Sequence, residues 1–332
     1  MRIRWRRSKF LCLFCLLCVL CIPSPAAQPG GGEPLRFAVI GDSGTGDAYQ
    51  FRIAEQMLAW HDRLPFSLVL MLGDNIYGGF LGTGGGHRND FEEKFDRPYA
   101  GLLARGVVFR ATLGNHDMRR NDGRELIGDF ERFHIGGPLG YYSFTAGEWQ
   151  TETGEPAPLI EFFVLNTVRL EGRRGDPEQL AWLEQALASS RARWRILYGH
   201  HPLYSTGARH GSKIEVRQRV EPLLAGTDGK PRVQAALAGH DHIYQRWHPQ
   251  NGVAYLVCGS SGKLRKGNAR PSAQVAAVED QLRTFMLWEA TPAELRFRAL
   301  NERGEAFDCG TLRRTGEVKA AACPAELGAS WP

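Results

Sequence analysis

The chain has 332 residues, 43% of them hydrophobic and 23% charged, a composition that suits one large globular domain and excludes a disordered or low-complexity protein. Its formal net charge of +5 is local: Arg2, Arg4, Arg6, Arg7 and Lys9 stand at the N-terminus, and the residues beyond position 27 carry 36 basic against 36 acidic side chains. A chain balanced in this way offers no electrostatic basis for nucleic-acid binding, and none is expected.

In chain order, the basic cluster precedes an apolar run from Phe10 to Ile22, which Pro23 ends before the small residues Ser24-Pro25-Ala26-Ala27. This pattern predicts an export signal over residues 1–27, so the mature chain is expected to be secreted, periplasmic or lumenal. The apolar run is short for a membrane span, and no stable membrane insertion is expected after cleavage; an uncleaved N-terminal anchor is the alternative. Arg6-Arg7 suggests twin-arginine export, but Lys9 stands where an apolar residue would be expected, which leaves the route open. Four of the seven cysteines fall inside the signal. Of the others, Cys309 and Cys323 could close a small loop in an oxidising compartment, leaving Cys258 unpaired.

A Pro/Gly-rich linker over 28–34 leads into five short apolar runs, each ending in glycine. Leu35–Ile40 runs into Gly41-Asp42, Ser67–Leu72 into Gly73-Asp74, and Val107–Leu113 into Gly114-Asn115-His116. Trp194–Tyr198 runs into Gly199-His200, and Val233–Ala238 into Gly239-His240-Asp241-His242. Such runs read as buried strands. Between them, Leu180, Leu183 and Leu187 keep helical spacing after Asp176-Pro177, a good helix start. Strands alternating with helices predict an α/β layered architecture. Strand-like pieces at Tyr141–Phe144, Phe162–Leu165, Val253–Val257 and Leu295–Leu300 lack intervening helices and suggest a second, mixed sheet packed on the first. No repeat or long internal linker appears, so residues 35–312 are read as one domain and 313–332 as a C-terminal tail.

The shared ending of the five runs is the strongest signal. Glycine at a strand end tolerates backbone angles that other residues avoid, so the next side chain can be turned into a cleft at the carboxyl edge of the sheet. The side chains collected there are carboxylates, an amide and imidazoles, a donor set that suits iron, zinc or manganese rather than an all-thiolate site. They divide between two ions. Asp74 can bridge with its two oxygens; Asp42, Tyr77 and His242 complete one ion, and Asn115, His200 and His240 the other. Two ions about 3.5–4 Å apart stabilise both the attacking and departing oxygens of an in-line displacement, which is phosphoester chemistry.

In these residues the chain resembles the calcineurin-like metallophosphoesterases, and more narrowly the small purple acid phosphatases of the tartrate-resistant type. The likeness rests on Gly41-Asp42-Ser43-Gly44, Gly73-Asp74-Asn75-Ile76-Tyr77, Gly114-Asn115-His116-Asp117, Gly199-His200-His201-Pro202 and Gly239-His240-Asp241-His242, in the family's order. Gly44 replaces the histidine usual in the wider superfamily, and Tyr77 supplies the tyrosine of the purple subgroup. The resemblance implies a four-layer α/β/β/α sandwich. It implies phosphomonoester hydrolysis by in-line attack of a metal-bound hydroxide, with ferric iron beside a divalent Fe, Zn or Mn. It also implies His116 and His210 as catalytic residues, and a small phosphorylated molecule or phosphoprotein as substrate. The segment Gly259–Lys266 departs from the family's pattern.

Taken singly, each of these residues has a plainer reading: a Gly-Asp is commonly a turn or cap, Tyr77 a half-buried aromatic, and Asp241 a solvated neighbour. Gly84-Gly85-Gly86-His87 reads as a loop without phosphate-cradling context. Lys263, Arg265 and Lys266 read equally as a solvated loop or as a rim that meets an anion. Two other functions fit the same chain: a phosphodiesterase or nucleotide pyrophosphatase with the same metals, and an exported binding protein with a vestigial site. The second would be expected to have lost ligands, and none is missing.

Overall fold

The computed structural model describes residues 34–78, 89–226 and 230–323. The export signal, nearly all of the linker and the Gly84-Gly85-Gly86-His87 loop lie outside the described residues. The first half of the described chain runs β1 (Leu35–Ile40), α1 (Ala48–His61), β2 (Leu68–Met71), α2 (Arg97–Leu103), β3 (Val108–Ala111), α3 (Arg124–Gly128), α4 (Phe130–Phe133), β4 (Tyr142–Gln150) and β5 (Pro156–Val164). Then come α5 (Pro177–Ser189), β6 (Trp194–Tyr198), α6 (Ile214–Leu224), β7 (Ala235–Ala238), β8 (Tyr244–Trp247) and β9 (Ala254–Cys258). Four further strands, β10 (Val275–Glu279), β11 (Thr284–Ala290), β12 (Leu295–Asn301) and β13 (Ala306–Leu312), precede the edge strand β14 (Val318–Ala321).

The strands form two seven-stranded sheets, ordered β14-β13-β12-β11-β1-β2-β3 and β10-β8-β9-β7-β6-β5-β4. Parallel pairing joins β1, β2 and β3 in the first sheet and β5, β6, β7 and β9 in the second. The five apolar runs that end in glycine are therefore divided three and two between the sheets, not gathered on one. The piece at Leu295–Leu300, expected in the second sheet, pairs with β11 in the first instead, because β11 lies antiparallel along β1 and brings the late hairpins with it.

Alternation along the strands builds the layers. Phe162, Val164, Ile196 and Tyr198 face the core shared with the first sheet, where Phe162 meets Phe37 edge to face at 5.2 Å. Their neighbours Phe163, Leu165 and Leu197 turn to the opposite side and pack with Leu183 and Leu187 of α5 and Val216 and Val220 of α6. On β3, Phe109 meets Phe95 and Tyr99 at 5.1 and 5.0 Å on the helical side, while Arg110 stacks over Phe144 of β4 at 4.4 Å. The result is the α/β/β/α sandwich. Truncating an inter-sheet aromatic such as Phe162 to alanine is expected to cost about 3–5 kcal/mol.

Asp176 caps α5 by accepting from Gln179 N at 3.1 Å, and Pro177 opens the helix, as its sequence suggested. Of the segment set apart as a tail, the described residues 313–323 do not stand off: β14 pairs with β13, and Cys323 is bonded to Cys309. Its turn at Thr315-Gly316 and its four-residue strand are too short to signal sheet by periodicity. Cys258 is buried and unpaired. Among the described residues no helix is long and apolar enough to cross a membrane.

Candidate metal centre

All nine side chains singled out in the sequence meet at one place, where the carboxyl ends of β1, β2, β3, β6 and β7 come together. The glycines act differently from the expectation, however. Only Gly73 has a positive φ among the five strand-ending glycines; the left-handed angles belong instead to Asp42 (53°), Asp74 (50°) and His240 (70°). The glycines are needed for close approach. A Cβ on Gly239 would stand 2.5 Å from Asp42 Oδ2, one on Gly199 would stand 2.6 Å from Thr167 Cγ2, and one on Gly114 would collide with Asp74. Crowding between strand ends, not backbone freedom, selects glycine at these positions.

Two groups of donors result. In the first, Asp42 is fully buried. Its Oδ2 accepts from His240 N at 2.7 Å and its Oδ1 from Tyr77 OH at 3.0 Å, with His242 Nε2 at 3.4 Å. Tyr77 OH also lies 3.3 Å from His242 Nε2. In the second, His200 Nε2 lies 3.1 Å from Asn115 Oδ1, 3.1 Å from His240 Nδ1 and 3.6 Å from Asp74 Oδ1. Asp74 joins the two, since ligand atoms of Asp42, Asp74 and His200 all lie within 4.8 Å of one another.

The donor set fits a pair of cations. His200 Nδ1 faces the Leu72 carbonyl at 2.9 Å; a carbonyl only accepts, so the neutral ring carries its proton there and its lone pair at Nε2. Oxygens of Asn115 and Asp74 face Nε2, burial lowers the pKa of this ring but the charges of Asp74 and Asp42 raise it overall, and His240 Nε2 is buried without a partner among the described residues. Such crowding in a buried site is unfavourable unless a cation lies among the donors. The acidity of Tyr77 leads to the same conclusion. Burial, then the charges of Asp42 and Asp74, push its pKa well above the ordinary value, so a phenolate forms here only with a cation beside it.

His116 and His210 flank the donors. The His116 ring is half-exposed, 4.6 Å from the Tyr77 ring, with Nε2 3.9 Å from Asp74 Oδ2 and its backbone N–H donating to Asp74 Oδ1 at 2.8 Å. Burial lowers its pKa more than Asp74 raises it. His210 is exposed and 4.3 Å from the His240 ring; burial, then the charges of Arg265, His242, Arg209 and Lys213, push its pKa down to about 4.

Three supporting groups escaped the sequence reading. Asp241 is no solvated neighbour: it is fully buried and accepts from Ser205 Oγ at 2.5 Å and Gly211 N at 3.0 Å, anchoring the loop that carries His210. Asp117 accepts from the backbone N–H groups of Asn75, Ile76 and Gly114 and ties two donor loops together; burial and the Asp74 charge raise its pKa to about 7. Asp90 pairs with Lys94 at 2.6 Å and Arg120 at 2.9 Å, and Lys94 donates to the Tyr77 carbonyl at 2.5 Å. The one available hint was that acids stand beside or near donor positions, which many solvated acids also do. Gly259–Lys266 is not wholly a solvated loop either, because Ser260, Ser261 and Gly262 are buried against the donor turns.

Known proteins resemble this chain in sequence and in fold. The family described as calcineurin-like phosphoesterase matches residues 35–244. Human tartrate-resistant acid phosphatase type 5 is 28% identical over 312 residues, covering 85% of this chain and 92% of the relative. Among solved structures, purple acid phosphatase PPD1 from yellow lupin seeds superposes with a TM-score of 0.65 at 18% identity, over 86% of this chain and 54% of that one. GAP50, the anchor in the inner membrane complex of Plasmodium, superposes with a TM-score of 0.69 at 18% identity, over 85% of this chain and 89% of that one.

Proposed function

The chain belongs to the calcineurin-like phosphoesterase family and is a phosphoester hydrolase, and from that premise we propose that it hydrolyses phosphomonoesters in the manner of an acid phosphatase. The observation that carries the reading is the convergence of lone pairs from five strand ends on two adjoining points joined by Asp74. The family implies a binuclear metal centre. In this reading Asp42, Tyr77 and His242 hold ferric iron, Asn115, His200 and His240 hold a divalent Fe, Zn or Mn, and Asp74 serves both. When bound, the ions supply a nucleophilic water near neutral pH and offset charge on the phosphoryl oxygens.

The chain's own residues do the rest. His116, at the open side of the donors, gives a proton to the departing oxygen, and its lowered pKa suits that work to mildly acidic conditions. His210 faces the substrate from the opposite loop. Asp241 and Asp117 hold these loops in register. The substrate is a small phosphorylated molecule or a phosphoprotein, and the likeness to tartrate-resistant acid phosphatase supports the monoester over the diester. Export fits the Cys309–Cys323 bond, which belongs to an oxidising compartment.

Elemental analysis combined with a panel of phosphomonoesters and phosphodiesters tests the reading. Wild-type protein is expected to hold two metals per chain and to prefer monoesters, whereas Asp74→Ala loses metal and activity together. An Asp74→Ala chain that keeps two metals and hydrolyses an aryl phosphate at the wild-type rate refutes the assignment.

A further inference from the structure

At the amino ends of β6 and β7, away from the donors, lies a second hollow. Arg195 stands on β6, which leads to His200, and Gln234 precedes β7, which leads to His240. Five residues of strand rise about 17 Å, so one small ligand does not reach both ends. The hollow has a volume of about 650 Å³ and holds Arg195, Lys230, Arg232 and Arg314 in its wall, a size within the range of small-molecule sites. The residues beyond position 27 are balanced, 36 basic against 36 acidic, so four cations in one wall are a local concentration. The wall is also firmly held. Gln234 Oε1 accepts from Arg195 N at 2.9 Å, and Gln234 N donates to Arg195 O at 2.9 Å. Arg232 donates to the backbone carbonyls of Glu184 at 3.2 Å and Leu223 at 3.4 Å, which place its guanidinium without neutralising it. Arg314 comes from the turn between β13 and β14, where Gly316 lies so close to Gly252 that a Cβ would collide with its carbonyl. Arg195 Nε is buried without a hydrogen-bond partner, and among the described residues none of Arg195, Arg232 and Arg314 is ion-paired with a carboxylate. Burial, then the charges of Arg314 and Arg232, push the pKa of Arg195 below its ordinary value; Glu161, its neighbour in the β5–β6 register, opposes them least. Like charges held around one hollow are unfavourable unless an anion lies among them.

We propose that this hollow is a second anion-binding site, separate from the metal centre, for a small anion that carries two or more phosphoryl groups, as an inorganic polyphosphate does. Guanidinium groups present paired N–H donors that match phosphoryl oxygens, and several such groups around one cavity suit several phosphoryl groups on one ligand. None of the described lining residues is aromatic, so the site reads phosphoryl oxygens and not an attached base or aryl group. None is a carboxylate, histidine or cysteine either, so it holds its ligand and does not cleave it. The inference is independent of the hydrolase reading.

The test is calorimetric titration of the metal-loaded protein with bis(methylene)triphosphonate, whose carbon bridges water does not cleave, and with its adenosine ester. Wild type is expected to bind one equivalent at this hollow, besides any held by the metals, and to bind the ester no more tightly. Arg195→Gln/Arg314→Gln is expected to weaken that equivalent about 10- to 100-fold, the size of one or two lost charged hydrogen bonds. Arg314 is exposed, so Arg314→Gln alone, with an expected loss of about 10-fold, decides the matter where the half-buried Arg195 is needed for folding. Arg313→Gln removes the same charge from the same turn, but from a residue paired with Glu294 at 3.1 Å, and is expected to bind as wild type does. All these variants are expected to keep the wild-type circular dichroism and kcat/KM for 4-nitrophenyl phosphate, since none touches the metal centre. A triphosphonate affinity unchanged by Arg314→Gln, or lowered as much by Arg313→Gln, overturns the site. Tighter binding of the adenosine ester overturns the ligand class.

Discussion

Asp117 takes both amide donors of Asn75, the backbone N–H at 3.0 Å and the side-chain Nδ2 at 2.8 Å, across 42 residues of sequence. The same carboxylate accepts from Gly114 and Ile76, so one buried acid sets the spacing between the loop of Asp74 and Tyr77 and the loop of Asn115 and His116. Asp117→Asn places a donor amide among these N–H groups. It is expected to lower stability in urea unfolding by about 3 kcal/mol and to lower metal content with it. Full stability and full metal in this variant would remove Asp117 from that role.

His116→Ala separates chemistry from metal binding. The ring lies outside the donor cluster, so the variant is expected to retain both metals while kcat falls roughly 10²- to 10⁴-fold, the usual contribution of a positioned general acid. Metal analysis and steady-state kinetics on the same preparation check it, and unchanged turnover excludes His116 from proton transfer.

Tyr77→Phe addresses the identity of the first ion. A phenolate is a hard anion that favours a trivalent ion, and ferric phenolate absorbs visible light by charge transfer. Oxidised protein is expected to be coloured, and Tyr77→Phe to lose the band while keeping its fold by circular dichroism. Fully active wild-type protein without iron or a visible band would leave Tyr77 with another partner.

Asp90 supplies a pH signature. Burial alone would raise its pKa, but hydrogen bonds from Lys94 and Arg120, and their charges, outweigh burial and hold it below the ordinary carboxylate value of 3.8. The folded state therefore binds the proton less readily than the unfolded chain. The stability is present above pH about 4 and is lost as pH falls through the folded pKa. Asp90→Asn is expected to cost about 3 kcal/mol at pH 7, because it leaves Arg120 short of a buried partner, and progressively less below pH 4. Urea unfolding at the two pH values measures this, and a penalty independent of pH would contradict it.

Much of the centre was legible because its signals are local. A glycine and the donor after it are adjacent in the chain, so Asp42, Asp74, Asn115, His200 and His240 could be found from short windows, Tyr77 and His242 were grouped with them as nearby donors, and the resemblance added the catalytic roles of His116 and His210. The supporting acids were not legible in the same way. Asp241 looks like any acid between two histidines until folding brings Ser205 and Gly211 against it, 36 and 30 residues away. The division of the five runs between two sheets was hidden too, because each run looks alike whichever sheet receives it. The reason for the glycines was misread for a related cause: collision with a distant strand end leaves no local trace.

The left-handed angles at Asp42, Asp74 and His240 set the demands of the site against those of the fold. A side chain other than glycine held at such angles costs of order 1–3 kcal/mol, sustained only because the surrounding structure dictates the conformation. Loss of a donor at these positions is therefore not uniformly harmful to folding. Asp74→Gly and Asp74→Ala delete the same carboxylate, yet glycine relaxes the backbone and alanine does not. The glycine variant is expected to unfold at the higher urea concentration, and equal midpoints would show that the angle carries no strain. At these three positions the substitution that ends the chemistry is then the one that relaxes the backbone, so selection for hydrolysis and selection for stability act in opposite directions on the same residues.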